Sequence, residues 1–272
     1  MLPEVIDMNP PTYSIAITTF VHRLEKYYKP LMNTLSRMRP NIDKIVFVNG
    51  QHKKDFDQDY RREIMRFSSL CPRTYLVMSP IVRGCSFMWN TSFNFTNTDY
   101  ILTLNDDLVI HDGFFEDFEA MLAHNAQTGH ESFRINYSFS HFCVYRKDLF
   151  DVGYFDERLL GFGEEDGDWL WRWEVGKGRP MRCYGTRGIV NCIDMAATNS
   201  ENMVKHDEGG GKYSAFNRKF VLDTLYEFPN PTDPTRPAHA GLYGRPAQMR
   251  VGAEPPRYYP AEKWYRDHIN EV

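Results

Sequence analysis

Apolar positions along this chain recur in two rhythms. Ser14–Phe20, Lys44–Val48, Thr74–Met78 and Tyr100–Leu104 are short, β-branched-rich runs that predict buried strands. Between them, residues 22–38, 57–70 and 86–96 carry apolar side chains at helical spacing: Leu24, Tyr27, Tyr28, Leu31 and Leu35 in the first, Ile64, Met65 and Phe67 in the second. Strands alternating with helical stretches predict βαβ units and a mainly parallel sheet flanked by helices, an α/β fold. Further on, the pattern predicts a helix over 113–125, strands at Phe133–Ser138 and His141–Tyr145, a helix over 164–175, strands near Arg182–Tyr184 and Ile189–Ile193, and an amphipathic helix over 213–226. Beyond Phe228 prolines crowd the chain, which excludes a regular helix or a central strand there. The division this suggests is a lead-in over 1–11, a body over 12–228, and a Pro- and aromatic-rich extension over 229–272 that packs on the body.

In an open α/β sheet, ligands bind beyond the carboxyl ends of the strands. The polar residues there are Thr18 and Thr19 at the first strand, Asn49 after the second, and Asn105-Asp106-Asp107 after the fourth. Two adjacent carboxylates at the end of an apolar strand repel each other, and a hard divalent cation relieves that repulsion while bridging to phosphates. A plain capped turn accounts for the same three residues. The segment Gly161–Arg172 places four carboxylates, Glu164, Glu165, Asp166 and Asp168, between glycines and the bulky Trp169 and Trp171. Acidic residues favour a helix start; beside apolar walls, one of them suits a general base. Downstream, Lys205-His206-Asp207-Glu208-Gly209-Gly210-Gly211-Lys212 suits a loop that folds over an anion, with His206 a candidate metal ligand.

Composition alters this picture little. With 32 Lys+Arg against 36 Asp+Glu, the net charge of −4 argues against holding nucleic acid by bulk charge. Without the six acidic residues of the two segments above, the rest of the chain is slightly basic, so the acidity is concentrated. Five scattered cysteines show no metal or disulfide spacing, no apolar stretch is long enough to span a bilayer, and the first residues lack a signal-peptide pattern; a cytoplasmic protein is the expectation.

Taken in order, these segments resemble the GT-A glycosyltransferases, closest in pattern to family 2. Ser14–Arg23 resembles the first strand and its "PTYNR" turn, Lys44–Gly50 resembles "EIIVVDDGS" with Asn49 for the second Asp, and Arg83-Gly84 with Asn90 resembles "NxGxxxxxN". Tyr100–Asp107 resembles "YILFLDDD", and Gly153–Arg158 followed by Glu165–Asp168 resembles "GGFDERF…GEDxDL". The acidic segment is also similar to the "GWGGEDDD" stretch of family 7. The resemblance covers roughly residues 12–226, ahead of the Pro-rich C-terminal extension, and implies a GT-A fold and a metal-dependent, inverting transfer of sugar from a nucleotide-diphosphate sugar, with UDP favoured, to a glycan or glycoconjugate hydroxyl.

It further implies Mn²⁺ or Mg²⁺ on Asp107 and His206, Asp166 as base with Glu165 beside it, and donor contacts from Thr18, Thr19, Phe20, Asn49, Arg83, Asn90, Asn105, Asp106 and Lys212. Phe162, Gly163 and Trp169 would form the acceptor wall. A retaining transferase and a non-catalytic carbohydrate-binding module are the alternatives; concentrated repelling carboxylates argue against the second. Donor sugar, acceptor, and any peripheral membrane association or homodimer stay open.

Overall fold

The computed structural model describes residues 11–20, 23–50, 57–81, 83–161, 164–191, 216–228 and 248–253. Its centre is a seven-stranded sheet. The first strands are β1 (Tyr13–Phe20), β2 (Lys44–Asn49), β3 (Thr74–Met78) and β4 (Tyr100–Asn105), joined by α1 (Lys29–Met38), α2 (Gln58–Ser68) and α3 (Cys85–Asn94). A π-wound turn, Leu24–Tyr28, leads from β1 into α1. After β4 come a short β5 (Leu108–Ile110), α4 (Phe114–Thr128), β6 (Phe133–Ile135), β7 (Ser138–Tyr145), α5 (Arg146–Asp151), α6 (Glu165–Lys177), β8 (Arg182–Tyr184) and β9 (Ile189–Asn191). The order across the sheet is β3-β2-β1-β4-β7-β6-β8. β1 pairs in parallel with both β2 and β4, β2 pairs in parallel with β3, and β7 runs antiparallel to β4 and to β6.

The parallel strands are apolar on both faces because helices cover both. One face carries Ile15, Val46, Leu102 and Leu104 against Leu31, Leu35, Ile64 and Phe118; the other carries Ala16, Ile101 and Phe142 against Trp89, Phe93, Trp169 and Trp173. A third cluster joins Trp171 to Phe216, Val221, Leu225 and Tyr226. The segment 216–225 is helical with a π-wound middle, Arg218–Leu222, then α7 (Asp223–Leu225), and ends in β10 (Tyr226–Glu227). β10 pairs with β11 (Gln248–Met249), and Arg250 Nε donates to the Asp223 carbonyl at 2.7 Å.

Several expectations shift at their edges. The strand expected over Phe133–Ser138 breaks after Ile135, because Asn136 and Tyr137 take φ of 52° and 59°. Two successive left-handed residues make a tight hairpin turn that sends the chain back as β7. β5 and α5, at three and six residues, are too short for periodicity to reveal. Residues 213–215 and most of the extension fall outside the described residues, as does Cys192; among the described residues no disulfide joins Cys71, Cys85, Cys143 or Cys183 to one another. Among the described residues no helix is long and apolar enough to cross a membrane.

One buried network fixes α6 in place. Arg172 donates to Asp168 Oδ2 through Nε (3.0 Å) and Nη2 (2.8 Å), and to the carbonyls of Val152 and Tyr154; Tyr226 Oη donates to Asp168 Oδ1 at 2.7 Å. Both charges are shut away from solvent. Arg172→Met would strand the Asp168 carboxylate, at a cost of about 3–5 kcal/mol. Urea denaturation of the parent and the variant checks this, and an unchanged midpoint would contradict it.

Candidate active site

The sheet order reverses between β1 and β4: the chain moves outward from β1 through β2 to β3, then returns to β1's other side. Ligands in open α/β sheets bind at such a reversal, beyond the carboxyl ends of the strands. Register places Thr18 opposite Asn105, so the β1 turn and the Asn105-Asp106-Asp107 turn meet there. Thr19 Oγ1 donates to Asp106 Oδ2 at 2.6 Å, and Thr18 Oγ1 lies 3.5 Å from Asn105 Oδ1. Phe20 contributes its carbonyl, which accepts from Tyr60 Oη at 3.0 Å.

Asp106 and Asp107 are both buried, and the Arg23 guanidinium lies between them. Its Nε meets Asp106 Oδ1 at 2.8 Å and its Nη2 meets Asp107 Oδ2 at 2.6 Å, while its carbon stands 4.5 Å from the centre of the Tyr27 ring. Burial pushes the Asp106 carboxyl up to about 7; the Asp107 charge pushes the same way, and the Arg23 charge and the Thr19 hydroxyl oppose both. Two buried carboxylates therefore meet a cation already, and the oxygen donors suit a hard divalent ion. Such ions commonly take one or two carboxylates and complete their shell with phosphates. Among the described residues no group of three or more His, Cys, Asp or Glu is gathered for a metal. His206 and Lys212 lie outside the described residues.

Asn49 is buried at the end of β2 and spends its amide on the backbone of Arg83. Oδ1 accepts from Arg83 N at 2.8 Å and Nδ2 donates to Arg83 O at 2.9 Å. An Asp could not make the second bond, which is a physical reason for Asn here. Gly50 is needed beside it, since a Cβ would lie 2.5 Å from Ile81 N and Pro80 C. Asn49→Asp would set a carboxylate against a carbonyl in a buried turn, destabilising the fold by about 1–3 kcal/mol. Thermal denaturation of the two proteins checks this; equal melting would show the clamp to be dispensable. The Arg83 guanidinium itself packs over Phe87, 4.7 Å from the ring centre.

Asn90 is likewise turned inward. Nδ2 donates to Phe155 O at 2.8 Å and to Glu157 Oε1 at 3.0 Å, and Oδ1 accepts from Phe155 N. It fixes the segment 155–157, with Arg158 paired to Asp156 and Asn217 bonded to both backbone groups of Leu160. This braced segment leads toward α6. A Cβ at Gly84 would come within 3.0 Å of Gly161 O, so the approach to α6 lies against the start of α3, on the edge where the parallel strands end.

At the start of α6 the four carboxylates divide by environment. Asp168 belongs to the buried network above. Glu164 is buried at φ 123°, a left-handed conformation that is strained for a side-chain-bearing residue. Glu165 is buried, whereas Asp166 is half-exposed and accepts from Gly167 N at 2.8 Å. Phe162 and Gly163 lie outside the described residues. Trp169 does not form an acceptor wall: its side chain is fully buried, stacks on Phe155 at 4.9 Å and donates from Nε1 to Gly153 O. Trp171 and Trp173 are also core, because α6 is covered on two sides, by the sheet and by the segment 216–228.

Two residues of this edge are not among the site residues expected from the sequence. Arg23 pairs with carboxylates more than eighty positions away. His141, on β7, sits in an apolar run that reads as core.

The chain aligns in three dimensions with solved glycosyltransferases. A Pyrobaculum calidifontis mannosyltransferase in complex with GDP-Man and Mn²⁺ matches with a TM-score of 0.54 and 11% identity, over 78% of this chain and 65% of that one. The chain has the GT-A fold. Glucosyl-3-phosphoglycerate synthase from Mycobacterium tuberculosis, in complex with Mn²⁺, UDP and phosphoglyceric acid, matches at 0.52 and 13% identity, over 79% and 81%. The chain spans about a third of Staphylococcus aureus TarS, 36% of its length, at a TM-score of 0.49 and 15% identity over 65% of this chain. No protein-family model and no curated protein sequence matches the chain.

Proposed function

We propose that this GT-A chain is a metal-dependent, inverting glycosyltransferase that moves a sugar from a nucleotide-diphosphate sugar, with UDP favoured, to a hydroxyl of a glycan or glycoconjugate. The observation that carries this reading is the buried Asp106/Asp107 pair holding a cation at the strand-order reversal, on the edge where α6 begins with its half-exposed Asp166. The aligned structures carry UDP or GDP-Man with Mn²⁺, which supports a nucleotide-sugar donor and a divalent ion.

A divalent ion held by Asp107, with His206 as the resemblance implies, would neutralise the charge that grows on the diphosphate leaving group. The chain's own residues do the rest. Thr18 and Asn105 offer hydroxyl and amide groups to the nucleoside side of the donor, and Thr19, whose hydroxyl donates to Asp106, holds that carboxylate in place. Arg23 and Arg83 bring fixed positive charge to the edge where the phosphates lie. Asp166 takes the proton of the acceptor hydroxyl, and Glu165 orients a sugar or acceptor hydroxyl. A single base opposite the leaving group gives in-line displacement and inversion.

The test is incubation of the full chain with a panel of nucleotide sugars, Mn²⁺ and acceptor glycans, preceded by nucleotide thermal shifts with and without Mn²⁺. Product NMR reads the anomeric configuration: an unchanged anomer would overturn inversion. Nucleotide binding indifferent to Mn²⁺, with no transfer, would favour a binding module instead.

A further inference from the structure

His141 lies opposite Leu104 in the β4–β7 register, three positions before Asp107, where β4 gives way to the site turn. Its side chain is only 4% exposed, yet neither Nδ1 nor Nε2 has a hydrogen-bond partner. The Asp107 carboxylate is near enough for its charge to reach the ring.

A buried polar group without a partner costs about 1–3 kcal/mol, and a native fold that keeps one calls for a reason. Packing supplies none. The neighbours on β7, Phe142, Cys143 and Val144, show that this strand accepts apolar side chains, and Leu or Phe at 141 would spare the cost. Neutral imidazole carries a lone pair on one nitrogen, and beside a carboxylate that pair is best used on a cation. Imidazole nitrogen with carboxylate oxygen is a donor set that suits Mn²⁺ and other first-row divalent ions.

We propose that His141 is a metal-ligating residue that acts with Asp107, placing one ligand on β7 and the other at the end of β4. The assignment rests on the transferase reading for the identity of the ion, and it adds a ligand that the family motifs do not supply. In the absence of a divalent ion, the Arg23 guanidinium neutralises Asp107 and His141 stays unpartnered. Arrival of the ion gives both residues a common partner.

The experiment uses the full chain and Mn²⁺ alone, without donor or acceptor. Calorimetry reads affinity, and electron spin-echo modulation of bound Mn²⁺ reads nitrogen coupling. His141→Leu is expected to weaken Mn²⁺ binding about tenfold or more and to cut the ¹⁴N modulation depth by about half or more. The same variant is expected to melt at or above the parent temperature in EDTA, because it removes an unpartnered polar group. His141→Gln, which keeps a polar side chain, is expected to show the same fall in modulation depth without that gain in melting temperature.

Unchanged affinity and modulation in His141→Leu would overturn the assignment. So would a parent chain that binds Mn²⁺ with no nitrogen coupling, or a leucine variant that melts well below the parent while binding Mn²⁺ normally. Parallel transfer assays separate this from the function itself. Sugar transfer with nitrogen coupling unchanged in His141→Leu sinks the His141 ligand alone, whereas Mn²⁺ bound through His141 with no turnover sinks the transferase reading alone.

Discussion

Arg23→Met is expected to destabilise the metal-free chain by about 3–5 kcal/mol, toward the lower end because Arg23 is 14% exposed, and Mn²⁺ is expected to restore most of the loss. The variant leaves Asp106 and Asp107 buried beside each other with their guanidinium gone. Asp106 is the more vulnerable, since burial already pushes its carboxyl up to about 7 with Arg23 in place. A divalent ion supplies the missing charge, and at a hundred times its dissociation constant it returns about 2.7 kcal/mol. Melting curves in EDTA and in Mn²⁺, for parent and variant, measure both halves. Asp107→Ala is the matching control: it relieves repulsion and keeps Arg23 on Asp106, so it is expected to fold, to lose Mn²⁺ stabilisation, and to lose about 10²-fold or more in transfer. If Mn²⁺ stabilised the alanine variant as strongly as the parent, Asp107 would not be a metal ligand.

The contrast between these two variants shows where sequence reading reaches its limit. Asn105-Asp106-Asp107 stands out because an apolar β-branched strand runs straight into carboxylates, and the parallel order follows from strands alternating with helices. Arg23 ends the turn that resembles "PTYNR", but that match assigns it no partner. Its role depends on β1 and β4 being neighbours, a pairing across more than eighty residues that no local pattern encodes. His141 is hidden for the opposite reason, since a polar residue at the start of the apolar run Phe142–Val144 looks like a tolerated exception until its surroundings are traced.

The aromatic residues of α6 mislead in a third way. Helical spacing says which positions share a face but not what covers that face, and here the sheet side buries Trp169 and Trp173 while the segment 216–228 buries Trp171. Asn49 and Asn90 carry a fourth lesson. Both fall in motif positions linked to the donor, yet the structure spends their amides on the backbone of Arg83 and Phe155. Their influence on the site passes through the loops they hold.

Asp166→Asn is expected to lower kcat about 10²–10⁴-fold, the usual worth of a positioned general base, with little change in Mn²⁺ binding or in KM for the donor. Four carboxylates crowd this helix start, and the structure separates them by what else they do. Asp168 is held by Arg172 and Tyr226, so its substitution should damage the fold before it reports on chemistry. Glu164 and Glu165 are buried, whereas Asp166 is half-exposed with only Gly167 N as a bonded partner in its own turn. An amide is nearly isosteric and still accepts from that N–H, so the variant should melt within about 0.5 kcal/mol of the parent, as surface substitutions do. It cannot take the acceptor proton. Steady-state transfer kinetics, with melting as the control, decide the matter: a fully active, folded Asp166→Asn would remove Asp166 as the base, and Glu165→Gln would then be the next variant to lose transfer.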